Sequence, residues 1–147
     1  MIVVDTTVLV YAVGAEHPLR QPCRDLIARI GAGEVAATTT VEVIQEFAHV
    51  RARRRTAVDA ASVSSDYATL LAPLLRPDEE DLGRGLELFA AIGGLGAFDA
   101  VLAATVMRSE RLTALVSADR SFALVDGLDH RDPADPGALA FSDPEPV

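Results

Sequence analysis

Lysine is absent from this 147-residue sequence, and all thirteen basic residues are arginines. Chemistry that needs a side-chain amine is excluded with it. Cysteine occurs once, at Cys23, so neither an internal disulfide nor a thiolate metal site is available, and Cys23 reads as a small residue on a helix. No apolar run approaches the ~20 residues that a bilayer-spanning helix needs; uncharged stretches such as TTVLVYAVGA are shorter. The chain does not open on a basic segment, an apolar run and a small-residue cleavage site, so the cytoplasm is the expected location and no membrane partner is expected. Glycine is missing just after the first apolar run, where DTTV stands, and this excludes the phosphate turn of a dinucleotide-binding unit.

What is present suits one ordinary domain: the length fits one and is short for two. Twenty-two acidic residues against thirteen basic ones give a net charge of −9, a balance that opposes nucleic-acid binding through phosphate repulsion. The charge is unevenly spread. DPADPGALAFSDPEPV, residues 132–147, holds Asp132, Asp135, Asp143 and Glu145 and no base, whereas RARRRT gathers Arg51, Arg53, Arg54 and Arg55. Pro133, Pro136, Pro144 and Pro146 predict a loose segment. Residues 1–132 are therefore expected to form the domain and residues 133–147 an acidic, Pro-rich tail.

Along the domain, short apolar runs alternate with helical patterns. IVV reads as a strand and TTVLVYAVG as a buried helix that Thr6 or Thr7 can cap. HPLRQPCRDLIARIGAG is an amphipathic helix stopped by glycines. EVAATTT is a second strand, and VEVIQEFAHVRARR a helix with Val43, Ile44, Phe47 and Val50 on one face. A weaker helical pattern from Val58 to Leu71 runs into LLAPLL, expected as a third strand. DEEDLGRGLELFAAIGG and GAFDAVLAATVMRSER are helices either side of a glycine joint, the alanines of the second suggesting close packing. LTALVSADRSF is expected as a fourth strand, and LVDGLDHRDP leads to a short last element. Alternation of this kind predicts an α/β fold, a central parallel sheet covered on both faces, with ligands bound beyond the carboxyl ends of the strands.

Four acids fall at comparable places in that scheme. Asp5 follows the first strand, Glu46 lies in the helix after the second, Asp99 sits in a first helical turn, and Asp119 follows the fourth strand. A parallel sheet brings such positions to one edge, where carboxylates repel unless protonated or bridged by a cation; hard oxygen donors suit Mg²⁺ or Mn²⁺. Such an ion can hold a phosphodiester and activate water. Each acid alone has a plainer reading, as a helix cap, a dipole-favoured first-turn acid, a turn residue or a solvated helix face. A receiver domain or a haloacid-dehalogenase-type phosphatase also places an aspartate after a strand, but both use a lysine, and the latter a second aspartate where Thr7 stands.

VVDTTVLVYA, TTTVEVIQEF, GAFDAVLAA and LVSADRSF, in this order and spacing, resemble the motifs of the PIN-domain ribonucleases, and among them the toxin subunits of VapBC toxin-antitoxin pairs. The resemblance runs from Met1 to about Asp132. It implies a three-layer α/β/α sandwich, Mg²⁺- or Mn²⁺-dependent endoribonuclease activity that inhibits growth, neutralisation by a small cognate antitoxin, and a homodimer. Carried over by position, it implies Asp5, Glu46 and Asp99 as metal-binding acids, Asp119 as the fourth and more variable one, and Thr6 and Ser117 as polar supports. Glu42 competes for the second position; Glu46 is favoured because QEF places an aromatic after the acid. The alternative function is a catalytically inactive PIN-like binding or interaction module.

Arg51, Arg53, Arg54 and Arg55 are candidates for RNA contact, set against an exposed helix end whose charge suits the negative pole of the helix dipole. His17, His49 and His130 have no metal spacing and no nucleophile partner, so surface or capping roles are expected of them. Asp78 to Asp81 reads as a solvated helix start.

Overall fold

Two apolar triplets, IVV and ALV, set the architecture. In the computed structural model, which describes residues 1–141, Ile2–Val4 (β1) and Ala114–Val116 (β3) lie side by side with every residue buried. Burial of successive residues is what a strand covered on both faces requires. Ala37–Thr38 (β2) flanks β1, and His130–Arg131 (β4) flanks β3. The order is β2-β1-β3-β4, with all neighbours parallel.

Parallel pairing needs crossovers, and helices supply most of them. Thr6–Val13 (α1) and Arg20–Gly31 (α2) connect β1 to β2; Val41–Ala52 (α3), Ala57–Leu70 (α4), Glu79–Ala91 (α5) and Ala97–Arg108 (α6) connect β2 to β3. A short 3-10 helix, Arg120–Leu124, precedes β4. The result is the three-layer α/β/α sandwich that the alternating pattern predicts. Among the described residues, no helix is long and apolar enough to cross a membrane.

The layers lock through a few large or very small side chains. Phe47 on α3 meets Tyr67 on α4 edge to face, with ring centroids 5.1 Å apart, and the Tyr67 hydroxyl donates to the Leu9 carbonyl of α1 at 3.3 Å. Helices α5 and α6 approach so closely that a Cβ on Gly85 would lie 2.6 Å from Val101 Cα. Ala100 and Ala103 are fully buried, which agrees with the close packing their size suggests.

Three local expectations need correction. The cap of α1 is Asp5, whose carboxylate accepts from the Thr7 amide, not Thr6 or Thr7. LLAPLL is not a strand: Pro73 has no amide to give a ladder, and the segment touches the sheet's edge through a single parallel bridge, Thr40 with Leu75. Asp78 to Asp81 is more than a solvated helix start. Asp78 and Asp81 form a capping box at α5, Asp81 is 1% exposed, and Arg108 of α6 reaches both, at 2.6 Å and 2.9 Å. In the described part of residues 133–147, Arg29 donates to the Leu139 carbonyl at 2.7 Å, and the Arg131 guanidinium lies over the Phe141 ring. Asp143, Pro144, Glu145 and Pro146 lie outside the described residues.

Candidate active site

The β1 strand delivers Asp5 to the carboxyl end of the sheet, and its amide donates to the Val116 carbonyl at 3.0 Å, tying it to β3. The residue is 3% exposed. Its Oδ2 is saturated, accepting from the Thr7 hydroxyl at 2.8 Å, the Ser117 hydroxyl at 2.7 Å and the Thr7 amide at 3.3 Å. Among the described residues no hydrogen bond goes to Oδ1, so this oxygen keeps its capacity for a ligand.

Thr7 and Ser117 share one design. Each hydroxyl donates to Asp5 and accepts a backbone amide from the turn after β3, Ala118 to Thr7 at 2.9 Å and Asp119 to Ser117 at 3.0 Å. Thr6, the first residue of α1, donates to Glu46 Oε2 at 2.5 Å, which ties the second acid to the first. Asp119 caps the 3-10 helix through Oδ1, accepting from the Ser121 amide at 2.8 Å. Asp99 lies in the first turn of α6 and folds back over Gly96. A Cβ at Gly96 would fall 2.9 Å from Asp99 Oδ2, so the bare backbone there makes room for the carboxylate.

The acids feel one another. Burial first, and then the charges of Asp5, Asp119 and Glu46, together push the half-buried Asp99 carboxyl up to about 7. A helix N-terminus by itself favours the ionised form; burial and three carboxylates outweigh it. Glu42 is not among the charges that act on Asp99. Its Oε2 is buried without a hydrogen-bond partner, in a cleft formed with Thr40, Pro77, Leu82 and Phe98. Glu46 is thus the member of the pair that shares Asp99's surroundings.

Three carboxylates act on Asp99, yet among the described residues no three His, Cys, Asp or Glu side chains form a ready-made metal cage. An open set of oxygen donors fits Mg²⁺ in particular, which retains several waters and takes only one or two carboxylates directly. The arginines stand apart. Arg51 is engaged by Asp59 through two hydrogen bonds of 2.6 and 3.1 Å, while Arg53, Arg54 and Arg55 are exposed at the far end of α3. Arg51, Arg54 and Arg55 rim a cavity of about 150 Å³ floored by Val10, Val13, Phe47 and Val50.

The pattern that defines the PIN domain matches residues 2–128. The chain belongs to the PIN domain family. The match takes in all four acids. The sequence is 54% identical to Ribonuclease VapC7 of Mycobacterium tuberculosis over 142 residues, 96% of this chain and 97% of the relative. It is 34% identical to Ribonuclease VapC23 of the same organism over 67% of this chain and 78% of the relative. Ribonuclease VapC13, also from that organism, is 32% identical over 87% of this chain and 97% of the relative.

Two residues of this PIN domain site escape sequence reasoning. Thr7 stands two positions after an aspartate, which is the spacing of a side chain that bonds the backbone just ahead of it, so its role was open to discovery. His130 has no such signal. It arrives from β4, far along the chain, and its Nε2 lies 2.8 Å from the Ser117 carbonyl.

Proposed function

We propose that this PIN domain is a Mg²⁺- or Mn²⁺-dependent endoribonuclease, the growth-inhibiting toxin of a type II toxin-antitoxin pair, hydrolysing RNA phosphodiester bonds in the cytoplasm. The observation that supports the reading is that Asp5, Asp119 and Glu46, from three other segments, all act on the Asp99 carboxyl and raise it alongside burial, while Thr6, the residue beside Asp5, bonds Glu46. The ribonuclease names of its relatives favour RNA as the substrate.

Asp5, Glu46 and Asp99, with Asp119 as the fourth, would hold the ion. When bound, it supplies charge neutralisation for the phosphodiester, a water of lowered pKa and stabilisation of the leaving oxygen. The chain's own part is positional. Thr7 and Ser117 fix one oxygen of Asp5 and leave the other free, Thr6 aims Glu46, and Gly96 leaves space for Asp99. No histidine base is required.

The antitoxin is proposed to seat on the apolar surface of Val10, Val13 and Val50, where charged substitutions should abolish co-purification. The homodimer is proposed on the α5 face, which exposes Leu82, Leu86 and Phe89; large apolar groups gathered on a surface commonly mark association. Arg53, Arg54 and Arg55 remain candidates for backbone contact with RNA, since Arg51 already has a partner.

The decisive experiment incubates purified protein with RNA and Mg²⁺ or Mn²⁺, with and without chelator, and repeats it with Asp5→Asn. Metal-dependent cleavage that the substitution abolishes is the expected result. Cleavage indifferent to metal or to Asp5 would overturn the enzyme reading, and no cleavage with metal bound would favour the inactive binding module.

A further inference from the structure

The Ser117–Ala118 peptide plane is held at both ends. Its N–H donates to the Thr7 hydroxyl at 2.9 Å. Its carbonyl lies 2.8 Å from His130 Nε2, and because a carbonyl can only accept, the imidazole carries its proton on that nitrogen. Ser117 still belongs to the sheet through its own amide, which donates to the Arg131 carbonyl at 3.1 Å. Beyond it the chain leaves β3, and among the described residues His130 is the one donor to the Ser117 carbonyl. The imidazole is braced in turn by Phe122, fully buried, with ring centroids 5.9 Å apart.

This plane governs two acids. The Ser117 hydroxyl bonds Asp5, and the residue that follows the plane is Asp119, whose amide returns to that same hydroxyl. We propose that His130 is a positioning residue for the acid cluster: by fixing the Ser117 carbonyl it sets the turn that aims Asp5 and Asp119 at a divalent cation. The inference rests on the metal-dependent reading above. Groups that orient metal ligands typically change metal affinity 10- to 100-fold when removed, and His130 acts at one further remove, so an effect of about tenfold is expected.

Two variants separate positioning from packing. His130→Phe keeps a ring against Phe122 and removes the donor; His130→Gln keeps a donor and gives up the ring. Hydrogen exchange of the Ala118 amide in metal-free protein reads the clamp directly, and calorimetric titration with Mn²⁺ alone reads its consequence. His130→Phe should speed Ala118 exchange and weaken Mn²⁺ binding about tenfold, and His130→Gln should restore most of both. Unchanged Ala118 exchange in folded His130→Phe would overturn the clamp, and faster exchange with unaltered Mn²⁺ affinity would overturn its role at the acids. Equal losses in both variants would assign the effect to packing and overturn it as well. Wild-type protein that takes up no Mn²⁺ would instead bring down the metal reading itself, a result visible before any variant is made.

Discussion

Two acidic helix starts in this chain look alike in sequence and differ in what faces them. At α5, Asp78 and Asp81 cap the helix reciprocally, and Arg108 bonds both. The Asp81 amide and then Arg108 hold the Asp78 carboxyl below its ordinary value. Around α1 and α6, Asp5 also caps a helix and Asp99 also sits in a first turn, but among the described residues no arginine is paired with either. There burial and the other carboxylates push Asp99 up to about 7. A cap that has found its counter-charge is finished structure, whereas a set of carboxylates left facing one another has a use for a cation from outside the chain.

The sharpest way to break this comparison is to neutralise one acid on each side. Asp99→Asn should lower the rate of RNA cleavage at saturating Mn²⁺ by at least about 100-fold, because a proposed ligand should cost no less than the groups that merely orient ligands. The same change should raise the thermal midpoint of the metal-free protein, since it relieves repulsion. Asp81→Ala should do the reverse. It removes the capping box and leaves Arg108 short of a partner, at about 2 kcal/mol of stability in urea unfolding, with the cleavage rate per folded molecule unchanged. An Asp99→Asn protein that melts lower than wild type in chelator would erase the distinction between the two sites.

How far that distinction could be read in advance differs from residue to residue. The parallel sheet was legible because IVV and ALV are buried on both faces and so read as unbroken apolar runs. The four acids could be proposed as a set because strand ends in such a sheet fall at one edge. LLAPLL misled because an apolar run can pack against a sheet's rim without entering its ladder, and only Pro73 hinted at this. Asp99 was set apart from Asp81 by the motif GAFDAVLAA, but the burial and pairing of Asp81 were not legible: they depend on Arg108, twenty-seven positions away, and sequence carries no mark of that pairing. His130 was hidden for the same reason, since its partner is a backbone carbonyl just past the end of β3.

A smaller effect tests the supports within the acid cluster. Thr6→Val preserves shape and removes the hydroxyl that donates to Glu46. It should weaken Mn²⁺ binding in calorimetry by about tenfold, at the low end of what such orienting groups contribute, and Thr6→Ser should recover most of the loss. Equal weakening in Thr6→Ser would mean that the methyl group, not the hydrogen bond, matters at this position.

The smallest effect is the most direct reading of opposite electrostatics. Asp99 has a folded-state pKa near 7 against an ordinary 3.8, so the folded protein binds more protons than the unfolded chain between those values. Stability therefore falls as pH rises through that window and levels off above it. Asp78 is shifted the other way, so its contribution is complete above its ordinary value and lost only as pH falls below it, leaving no slope between pH 5 and 8. In chelator, the wild-type thermal midpoint should exceed its pH 8 value by a few degrees at pH 5, and Asp99→Asn should flatten this part of the difference. Because a cation competes with the Asp99 proton, the midpoint shift produced by Mn²⁺ should be larger at pH 8 than at pH 6. A shift that does not grow with pH would mean that Asp99 is not where the ion meets the protein.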